Sequence, residues 1–255
     1  MATCHIALGG NVGDVIATMD RGLDLLDEAE GVSVIAASPV YYTEPVGPCS
    51  GDTFLNAAAT LTCDLEPLSL LRLLKSVEAS VGRESESRWG PRPLDLDLIL
   101  FDDAIVREPP LKVPHPHMWY RRFVLDPLVD IAADVRHPLF DESIQSLRSR
   151  LLQRPLRIAV QGDDEDKRLA ISALLTAKYP EVLIVDDESS TQDAGEIAMP
   201  LELRDFLTSD HSDIQQSRVV RISELPGTTE KAAVSVLTAA LDQPVNHSRP
   251  LRRMP

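Results

Sequence analysis

The sequence predicts an α/β (α+β) protein built from two units, the second of them a small α/β domain. Strand and helix patterns alternate over the first half of the chain, and the alternation restarts at Arg157. The 255 residues are 44% hydrophobic and 25% charged, an ordinary globular composition that is long enough for one large or two modest domains. These observations exclude a disordered chain, and they predict a first domain over residues 1–154 and a small α/β domain over residues 155–243.

The first domain is predicted to contain four strands and two amphipathic helices. The strand patterns are those of residues 3–8, 32–42, 54–63 and 94–101. Asp14 is suited to cap a first helix that runs to about Glu30, and Pro67 begins a second helix that Gly82 ends. This βαββαβ order lets two helices cover one face of a four-stranded sheet, which is the ferredoxin-like arrangement.

The second domain shows a new alternation of strands and helices after Arg157. Strands are predicted at residues 157–160, 182–186 and 218–222, and helices at residues 166–178 and 228–241. Residues 158–162 are faintly similar to the first strand of a P-loop kinase. In the loop that follows, residues 162–169, Lys167 and Arg168 stand in place of the second glycine and the lysine, beside four acidic residues. A degenerate, non-catalytic P-loop-like unit is therefore expected. Residues 244–255 lack periodicity and are expected to form a flexible tail.

The charge and the apolar pattern exclude several classes of function. The 40 acidic and 25 basic side chains give a formal net charge of -15, which opposes general binding to the phosphate backbone of nucleic acids. No apolar run approaches the ~18 residues needed to cross a bilayer, and no targeting signal is visible. Cys4, Cys49 and Cys63 lack metal-ligand spacing. We therefore expect a cytoplasmic protein with reduced cysteines and without nucleic-acid or membrane partners.

Two aspartates on the last strand of the first domain provide the most specific chemical signal. Strand alternation predicts that Asp95 and Asp97 share one face, whereas the opposite face carries Leu94, Leu96, Leu98 and Leu100. Paired carboxylates at this spacing can hold hard cations such as Mg²⁺, and Arg88 and Arg92 nearby can bind phosphate. The combination favours phosphoryl transfer over the alternative of aspartates that are merely solvated on an edge strand.

Three further groups of residues have side chains or backbone that could bind a ligand. Phe54 and Asn56 offer an aromatic face and an amide that suit a flat heterocycle, although core packing and a capped turn explain them better in isolation. Residues 9–13 can present backbone N–H groups to an anion, but a tight structural turn is favoured. His115 and His117 lack a third nearby ligand, so no transition-metal site is predicted.

Five stretches, taken in order, resemble one known family. They are ALGGNVGD (residues 7–14), YTEPVG (42–47), FLNAA (54–58), RWGPRPLDLD (88–97) and VPHP leading to RRFVL (113–125). Together they are similar to the signature of 6-hydroxymethyl-7,8-dihydropterin pyrophosphokinase, a folate-pathway family. The resemblance spans roughly residues 3–154 and gives no support for residues 155–255.

The resemblance implies an enzyme that transfers diphosphate from ATP, its co-substrate, to the pterin hydroxymethyl group and releases AMP. It implies that two Mg²⁺ ions are held by Asp95 and Asp97. The residues implied to contact phosphates are Arg83, Arg92 and Arg121, and those implied to line the nucleotide site are Glu78, Arg88, Trp89 and His115. The residues implied to bind the pterin are Thr43, Val46, Phe54, Asn56 and Phe123, with the two phenylalanines on opposite sides of the ring.

Departures from the family pattern leave an alternative function open. Gly10 replaces a usual serine, and Lys75 replaces a glutamine that is common one turn before Glu78. Pro110 and Lys112 lie in a loop where some members have Arg and Thr. The alternative is a non-catalytic pterin- or nucleotide-binding regulatory protein that retains the fold. Because every implied catalytic residue precedes residue 155, a chain that ends at residue 154 is expected to fold and keep its activity.

Overall fold

The computed structural model describes residues 1–45, 53–82, 92–185, 199–202, 220–222, 225, 227–247 and 251. The elements of the first domain are β1 (Ala2–Gly10), α1 (Val15–Asp27), β2 (Val32–Ala37), β3 (Tyr41–Thr43), β4 (Phe54–Cys63), α2 (Pro67–Ser80) and β5 (Asp95–Phe101). The Asp14 carboxylate accepts a hydrogen bond from the Ala17 N–H and caps α1, and Gly82 follows α2 with a φ of +94°. The predicted βαββαβ order is confirmed.

The second predicted strand is divided between β2 and β3. Pro39 lies at the break, where its missing N–H cannot serve a continuous ladder. The hydroxyl of Ser38 accepts a hydrogen bond from the Ala58 N–H at 2.9 Å and donates one to the Pro39 carbonyl at 2.7 Å. The two short strands therefore continue one edge of the sheet, β2 beside residues 59–63 and β3 beside residues 54–56.

The sheet has the antiparallel strand order of a ferredoxin-like fold. β5 pairs with β1, β1 pairs with β4, and β4 pairs with both β2 and β3. α1 and α2 cover one face, where the buried side chains include Cys4, Ile6, Leu8, Met19, Leu26, Leu70 and Leu74. Because side chains alternate along a strand, the opposite face of β1 carries His5, Ala7 and Gly9.

A bulge in β5 changes the side to which one leucine points. Leu94, Leu96 and Leu98 pack in the core beneath α1 and α2, as predicted, whereas Leu100 belongs to the cluster on the other face. The register of β5 on β1 shifts between His5 and Ile6, so that Ile99 is an extra residue and the alternation reverses after it. The prediction that all four leucines share one face is therefore wrong at Leu100.

The chain after β5 crosses to the open face of the sheet. Its elements are β6 (Val106–Glu108), β7 (Leu111–Val113), a 3₁₀ helix (Met118–Tyr120), α3 (Arg122–Ala132), β8 (Arg136–His137), β9 (Glu142–Ser143) and α4 (Ile144–Leu152). α3 packs against β4 on the face opposite α1 and α2, and α4 packs against α3. The first domain is therefore covered on both faces, except where α3 begins.

The second unit contains a parallel sheet. Its elements are β10 (Leu156–Gln161), α5 (Glu165–Lys178), β11 (Val182–Ile184), β12 (Met199–Glu202), β13 (Val220–Arg221), α6 (Thr229–Leu241) and β14 (Val245–Asn246). The first four strands pair in the order β11-β10-β12-β13. Only three residues join β10 to α5, so Lys167 and Arg168 lie in the first turn of a helix rather than in a loop. Within the described residues, no helix is long and apolar enough to span a bilayer.

The two units share one hydrophobic core. A single cluster of buried side chains runs from Ala58 in β4, through Leu128 in α3 and Leu151 in α4, to Leu237 in α6 and Leu201 in β12. α6 packs directly against α3, α4 and the 3₁₀ helix. The boundary after residue 154 thus separates two stretches of sequence that are packed together without an intervening gap.

The prediction of a flexible tail over residues 244–255 is wrong at β14. Val245 and Asn246 pair with Tyr42 and Tyr41 at the edge of the first sheet. The His247 N–H also donates a hydrogen bond to the Val40 carbonyl at 2.6 Å. A strand of two residues shows no periodicity in the sequence, because its position depends on the exposed edge of β3.

Candidate active site

A pocket opens on the face of the first sheet that α1 and α2 leave uncovered. Eight of the residues predicted to form the site line it: Thr43, Phe54, Asn56, Arg92, Asp95, Asp97, Arg121 and Phe123. The other lining residues are Ala7, Leu8, Gly9, Glu44 and Val124. Strands β3, β4, β1 and β5 and the start of α3 therefore bring together residues that are as far apart in the sequence as Ala7 and Val124.

The floor of the pocket is set by the register of three strands. Gly9 in β1 lies opposite Asn56 in β4 on one side and Asp95 in β5 on the other. Ala7 is similarly placed beside Asp97. Neighbouring strands are about 4.8 Å apart, so the amide and the carboxylates are separated by one strand, whose residues at this point, Ala7 and Gly9, are small.

Small residues of β1 are required by close approaches on both sides. A Cβ atom on Gly9 would lie 3.0 Å from Oδ1 of Asn56. A Cβ atom on Gly10 would lie 2.5 Å from the carbonyl oxygen of Pro93, so the glycine at this departure from the family pattern fits its surroundings. β1 continues through both glycines, and the turn predicted at residues 9–13 starts later, at Asn11.

The amide of Asn56 is held in place by Thr43. Asn56 Nδ2 donates a hydrogen bond to Thr43 Oγ1 at 2.6 Å, and both side chains are buried. The register of β3 on β4, which places Tyr41 opposite Asn56 and Thr43 opposite Phe54, brings these side chains together. The second N–H and the carbonyl oxygen of the amide leave it with further donor and acceptor capacity.

Arg121 and Phe123 form the wall that α3 contributes. The Arg121 guanidinium lies 5.6 Å from the ring centroid of Phe123 and 6.0 Å from that of Tyr120. Cation–π contacts at such distances restrain a side chain that is otherwise flexible. The guanidinium is therefore held beside the aromatic ring at the mouth of the pocket.

Arg92 and Asp95 form an ion pair at the opposite end of the pocket. Arg92 Nη1 lies 3.2 Å from Asp95 Oδ2. Asn11 also fixes the backbone of Arg92. The side-chain oxygen of Asn11 accepts a hydrogen bond from the Arg92 N–H at 3.0 Å, and the backbone N–H of Asn11 donates one to the Arg92 carbonyl at 3.1 Å. The site thus combines a cation and two carboxylates on adjacent backbone.

Glu78 lies behind β5 and does not line the pocket. Its Oε1 accepts hydrogen bonds from the Leu96 N–H at 2.6 Å and from Lys75 Nζ at 2.7 Å, and Lys75 also donates to the Leu96 carbonyl at 3.1 Å. Burial raises the pKa of Glu78, and these hydrogen bonds oppose that rise. The pair therefore clamps the peptide between Asp95 and Asp97, and Lys75 is part of that clamp.

His115 is a neutral side chain near the pocket. Burial and the charge of Arg121 lower the pKa of its imidazole to about 3. Nδ1 accepts a hydrogen bond from the His117 N–H at 3.2 Å, which leaves the single proton of the neutral ring on Nε2. His115 is thus fixed as a donor through Nε2.

Four predicted site residues, Val46, Arg83, Arg88 and Trp89, lie outside the described residues. In the other direction, the sequence reasoning missed Ala7, Gly9 and Glu44 as residues that line the pocket. The small residues of β1 were a signal for Ala7 and Gly9. Glycine inside a strand often marks a site where another group approaches the backbone closely.

The carboxylates suit a magnesium ion that is shared with phosphate. Asp95 and Asp97 are half-buried, face one pocket and offer only oxygen donors. Within the described chain, no group of three or more His, Cys, Asp and Glu side chains could form a metal site by itself. Mg²⁺ typically binds through one or two carboxylates together with substrate phosphates and water, so this donor set fits that ion.

Comparisons with known proteins agree with this geometry. The sequence profile of the family described as 7,8-dihydro-6-hydroxymethylpterin-pyrophosphokinase (HPPK) matches residues 5–133, just over half of the chain. The protein named 2-amino-4-hydroxy-6-hydroxymethyldihydropteridine pyrophosphokinase in Pseudomonas aeruginosa is 42% identical over 134 residues, covering 52% of this chain and 83% of that protein. The chain belongs to the HPPK family. The resemblance found in the sequence is confirmed.

Other relatives carry the same name. The Bacillus subtilis HPPK is 41% identical over 131 residues, which cover 51% of this chain and 78% of that protein. Among solved structures, the crystal structure of wild-type Plasmodium falciparum HPPK-DHPS aligns with a TM-score of 0.47 and 12% identity over 75% of this chain and 58% of that chain. That likeness is too distant to bear on the site. The HPPK profile ends before the second unit begins.

Proposed function

We propose that the protein transfers the terminal diphosphate of ATP to 6-hydroxymethyl-7,8-dihydropterin and releases AMP. The observation that carries this proposal is the placement of Asn56 and of Asp95 and Asp97 in one pocket, on either side of a strand with small residues. An amide suits the edge of a heterocycle, and the carboxylates suit metal-bound phosphate. The names of the HPPK relatives support the same reaction.

The pterin would bind at the end of the pocket near β3 and β4. Asn56 would exchange hydrogen bonds with the ring edge, because Thr43 fixes the orientation of its amide. Phe54 and Phe123 line the same pocket from the sheet and from α3, so a flat ring between them would contact both aromatic faces. The predicted contact of Val46 with the pterin rests on the family resemblance alone.

The phosphates of ATP would lie between β5 and α3. Arg92 and Arg121 both reach the pocket, and guanidinium groups suit phosphate oxygens through paired hydrogen bonds. His115 would donate from Nε2, and its low pKa means that it does so without carrying a charge. Glu78 would act by fixing β5 rather than by touching the nucleotide.

Asp95 and Asp97 would hold two Mg²⁺ ions against the phosphates. Bound magnesium supplies charge neutralisation on the migrating group and aligns the attacking and leaving oxygens. The half-buried position of the two carboxylates would keep them fixed while they remain open to the phosphates. The ion pair between Arg92 and Asp95 would place cationic charge beside the same phosphates.

The proposed reaction is an in-line displacement at the β-phosphorus of ATP. The hydroxymethyl oxygen forms a bond to that phosphorus, the bond from the phosphorus to the α,β-bridging oxygen breaks, and AMP leaves with that oxygen. The hydroxyl proton passes to solvent. Phosphoryl transfer needs no covalent enzyme intermediate and no strong base, so positioning and charge neutralisation are the work required of these side chains.

The decisive experiment measures AMP formed from ATP and Mg²⁺ with and without added 6-hydroxymethyl-7,8-dihydropterin. We expect AMP and the pterin diphosphate to appear in equal amounts, and only when both substrates are present. Binding of both ligands without formation of AMP would instead favour the alternative of a non-catalytic regulatory protein.

A further inference from the structure

The unit after residue 154 touches one wall of the pocket through Asp242. This residue ends α6 and is 6% exposed. Its Oδ1 accepts a long hydrogen bond from the Glu44 N–H at 3.5 Å, beyond the roughly 2.7–3.2 Å that is usual for such bonds. Glu44 and its neighbour Thr43 both line the pocket, and Thr43 in turn holds Asn56. The carboxylate therefore contacts the backbone that supports the amide.

The second oxygen of Asp242 is buried within the influence of the positive charge of Arg122. Asp242 Oδ2 and Arg122 Nη1 are both buried, and neither has a hydrogen-bond partner in the described part of the chain. The positive charge of Arg122 also favours the ionised form of Asp242 and lowers its pKa, which places the two groups within electrostatic reach. Arg122 lies between Arg121 and Phe123, the two residues through which α3 lines the pocket.

Arg122 and Arg148 both form an ion pair with the single carboxylate of Asp126. Asp126 accepts from Arg122 Nε at 2.9 Å and from Nη2 at 2.6 Å, and it also accepts from Nε of Arg148. Two guanidinium groups thus share one anion at this point of α3 and α4. The positive charge that Asp126 does not balance favours the ionised form of Asp242.

The chain that follows Asp242 fixes the same wall a second time. β14 pairs with β3 immediately before Thr43, and the His247 N–H bonds the Val40 carbonyl. The hydroxyl of Tyr41 in β3 also donates to Asp130 in α3 at 2.7 Å. The segment after α6, strand β3 and helix α3 therefore form one connected structure.

We propose that Asp242 is a positioning residue for the pterin half of the site. Its carboxylate accepts a hydrogen bond from the Glu44 N–H, next to Thr43, and it thereby helps to fix the wall that carries Asn56. This proposal rests on the proposed function. It makes the second unit a structural part of the pocket.

The test compares the binding of two ligands to the full chain by calorimetry. The ligands are 6-hydroxymethyl-7,8-dihydropterin and the non-hydrolysable α,β-methylene analogue of ATP with Mg²⁺. We expect Asp242→Ala to raise the Kd of the pterin roughly three- to tenfold, as for loss of a buried hydrogen bond, and to change the Kd of the ATP analogue by less than about twofold. Asp242→Asn keeps an acceptor for the Glu44 N–H and should weaken pterin binding less.

Gln243→Ala provides the matched control, since Gln243 is the exposed neighbour of Asp242 and should leave both Kd values unchanged. Equal losses for both ligands, or no loss for either, would overturn the positioning role. If Asp242→Ala does not fold, the isosteric Asp242→Asn still decides, because a selective loss of pterin affinity supports the proposal and an unselective one contradicts it. Failure of the proposed function would appear separately, as a wild-type protein that forms no pterin-dependent AMP.

Discussion

The carboxylate of Glu78 accepts a hydrogen bond from the backbone N–H of Leu96, 2.6 Å away, in the strand that carries Asp95 and Asp97. Among the described strands β5 is at the edge of the first sheet, and Glu78 in α2 accepts from a Leu96 N–H on which none of these strands draws. The carbonyl oxygen of Leu96 accepts a hydrogen bond from Lys75 Nζ. Two side chains of one helix therefore fix the backbone on which the proposed metal ligands stand.

Replacement of Glu78 tests this support. Glu78→Ala leaves the buried Leu96 N–H without its acceptor, so we expect the free energy of unfolding to fall by about 1–3 kcal/mol and the Mg²⁺ concentration for half-maximal activity to rise. Glu78→Gln retains an acceptor oxygen and should lose less stability. Urea unfolding and Mg²⁺ titrations measure the two effects. Equal destabilisation by both substitutions would show that the ion pair with Lys75, rather than the Leu96 bond, is what matters.

Asp95 and Asp97 are expected to be essential for turnover but not for folding. Asp95→Asn or Asp97→Asn removes charge from a half-buried side chain at the pocket, and metal charge stabilisation is worth several kcal/mol, so activity should fall by several orders of magnitude. Asp103→Asn, an exposed aspartate just beyond the same strand, serves as the control and should be fully active. Retention of more than about a tenth of wild-type activity at saturating Mg²⁺ by either site variant would contradict a metal role.

Gly9 should be intolerant of a side chain for a reason specific to the pterin. In Gly9→Ala the new methyl group would lie 3.0 Å from Oδ1 of Asn56, so either the amide or the strand must shift. We expect a tenfold or greater loss of pterin affinity, on the order of the 1–3 kcal/mol attached to a misplaced polar group, with a smaller effect on ATP.

The control for Gly9 is Gly82→Ala. Gly82 has a φ of +94° and no atom within 4 Å of an added Cβ, so this substitution should lower stability through backbone strain, by about 1 kcal/mol, without altering either affinity. Calorimetry on both variants separates the two effects. Unchanged pterin binding in Gly9→Ala would contradict the view that the small residues of β1 set the distance between Asn56 and Asp95.

Much of the first domain follows from local sequence signals. Alternation in β5 was enough to place Asp95 and Asp97 on one face, because the bulge in this strand comes after them, at Ile99. The helix ends at Asp14 and Gly82 were likewise predicted correctly. Asp14 accepts a hydrogen bond from a free N–H at the start of α1, and Gly82 adopts the positive φ that often follows a helix. The residues that line the pocket could be grouped only through the family resemblance, as register between strands is a property of tertiary structure.

The features that sequence reasoning missed depend on distant partners. The bulge that redirects Leu100 is defined by the pairing of β5 with β1, and β14 exists only against the edge of β3. The shared core was also hidden, because residue 155 begins a fresh pattern of strand and helix even though its side chains pack onto α3 and α4. A break in pattern therefore marked a change of supersecondary unit and not a boundary of the core.

The pH dependence of stability should carry a signature of Asp242. Burial, and the negative charge of Glu44, raise the pKa of Asp242 from 3.8 to about 6, while hydrogen bonds and Arg122 oppose the rise. The folded state then binds the proton more tightly than the unfolded state, so the stabilisation is complete below about pH 3.8 and is lost as the pH rises through about 6. Relative to Asp242→Asn, the wild type should lose roughly 2 kcal/mol between pH 4 and pH 7.

Urea unfolding of the wild type and of Asp242→Asn at several pH values measures this difference directly. All other titrating groups are common to the two proteins, so their effects cancel in the comparison. Two stability curves that run parallel across this range would show that Asp242 titrates normally in the folded protein, and hence that it is not buried against the loop after β3.

Removal of the second unit should damage the first. A chain that ends at residue 154 was expected from the sequence to fold and remain active, but the shared core makes the opposite outcome the prediction. The truncation would expose the apolar faces of α3 and α4, including Leu128, Leu147 and Leu151, which pack in one cluster with α6. Each such side chain is worth about 1.5–3 kcal/mol when buried, and the total stability of a domain is only about 5–15 kcal/mol.

We therefore expect the truncated chain to be aggregated or to have a markedly lower Tm, with weak pterin binding because Asp242 and β14 are absent. A truncated protein that is monomeric, with the Tm and the pterin Kd of the full chain, would instead establish that the two units are independent domains.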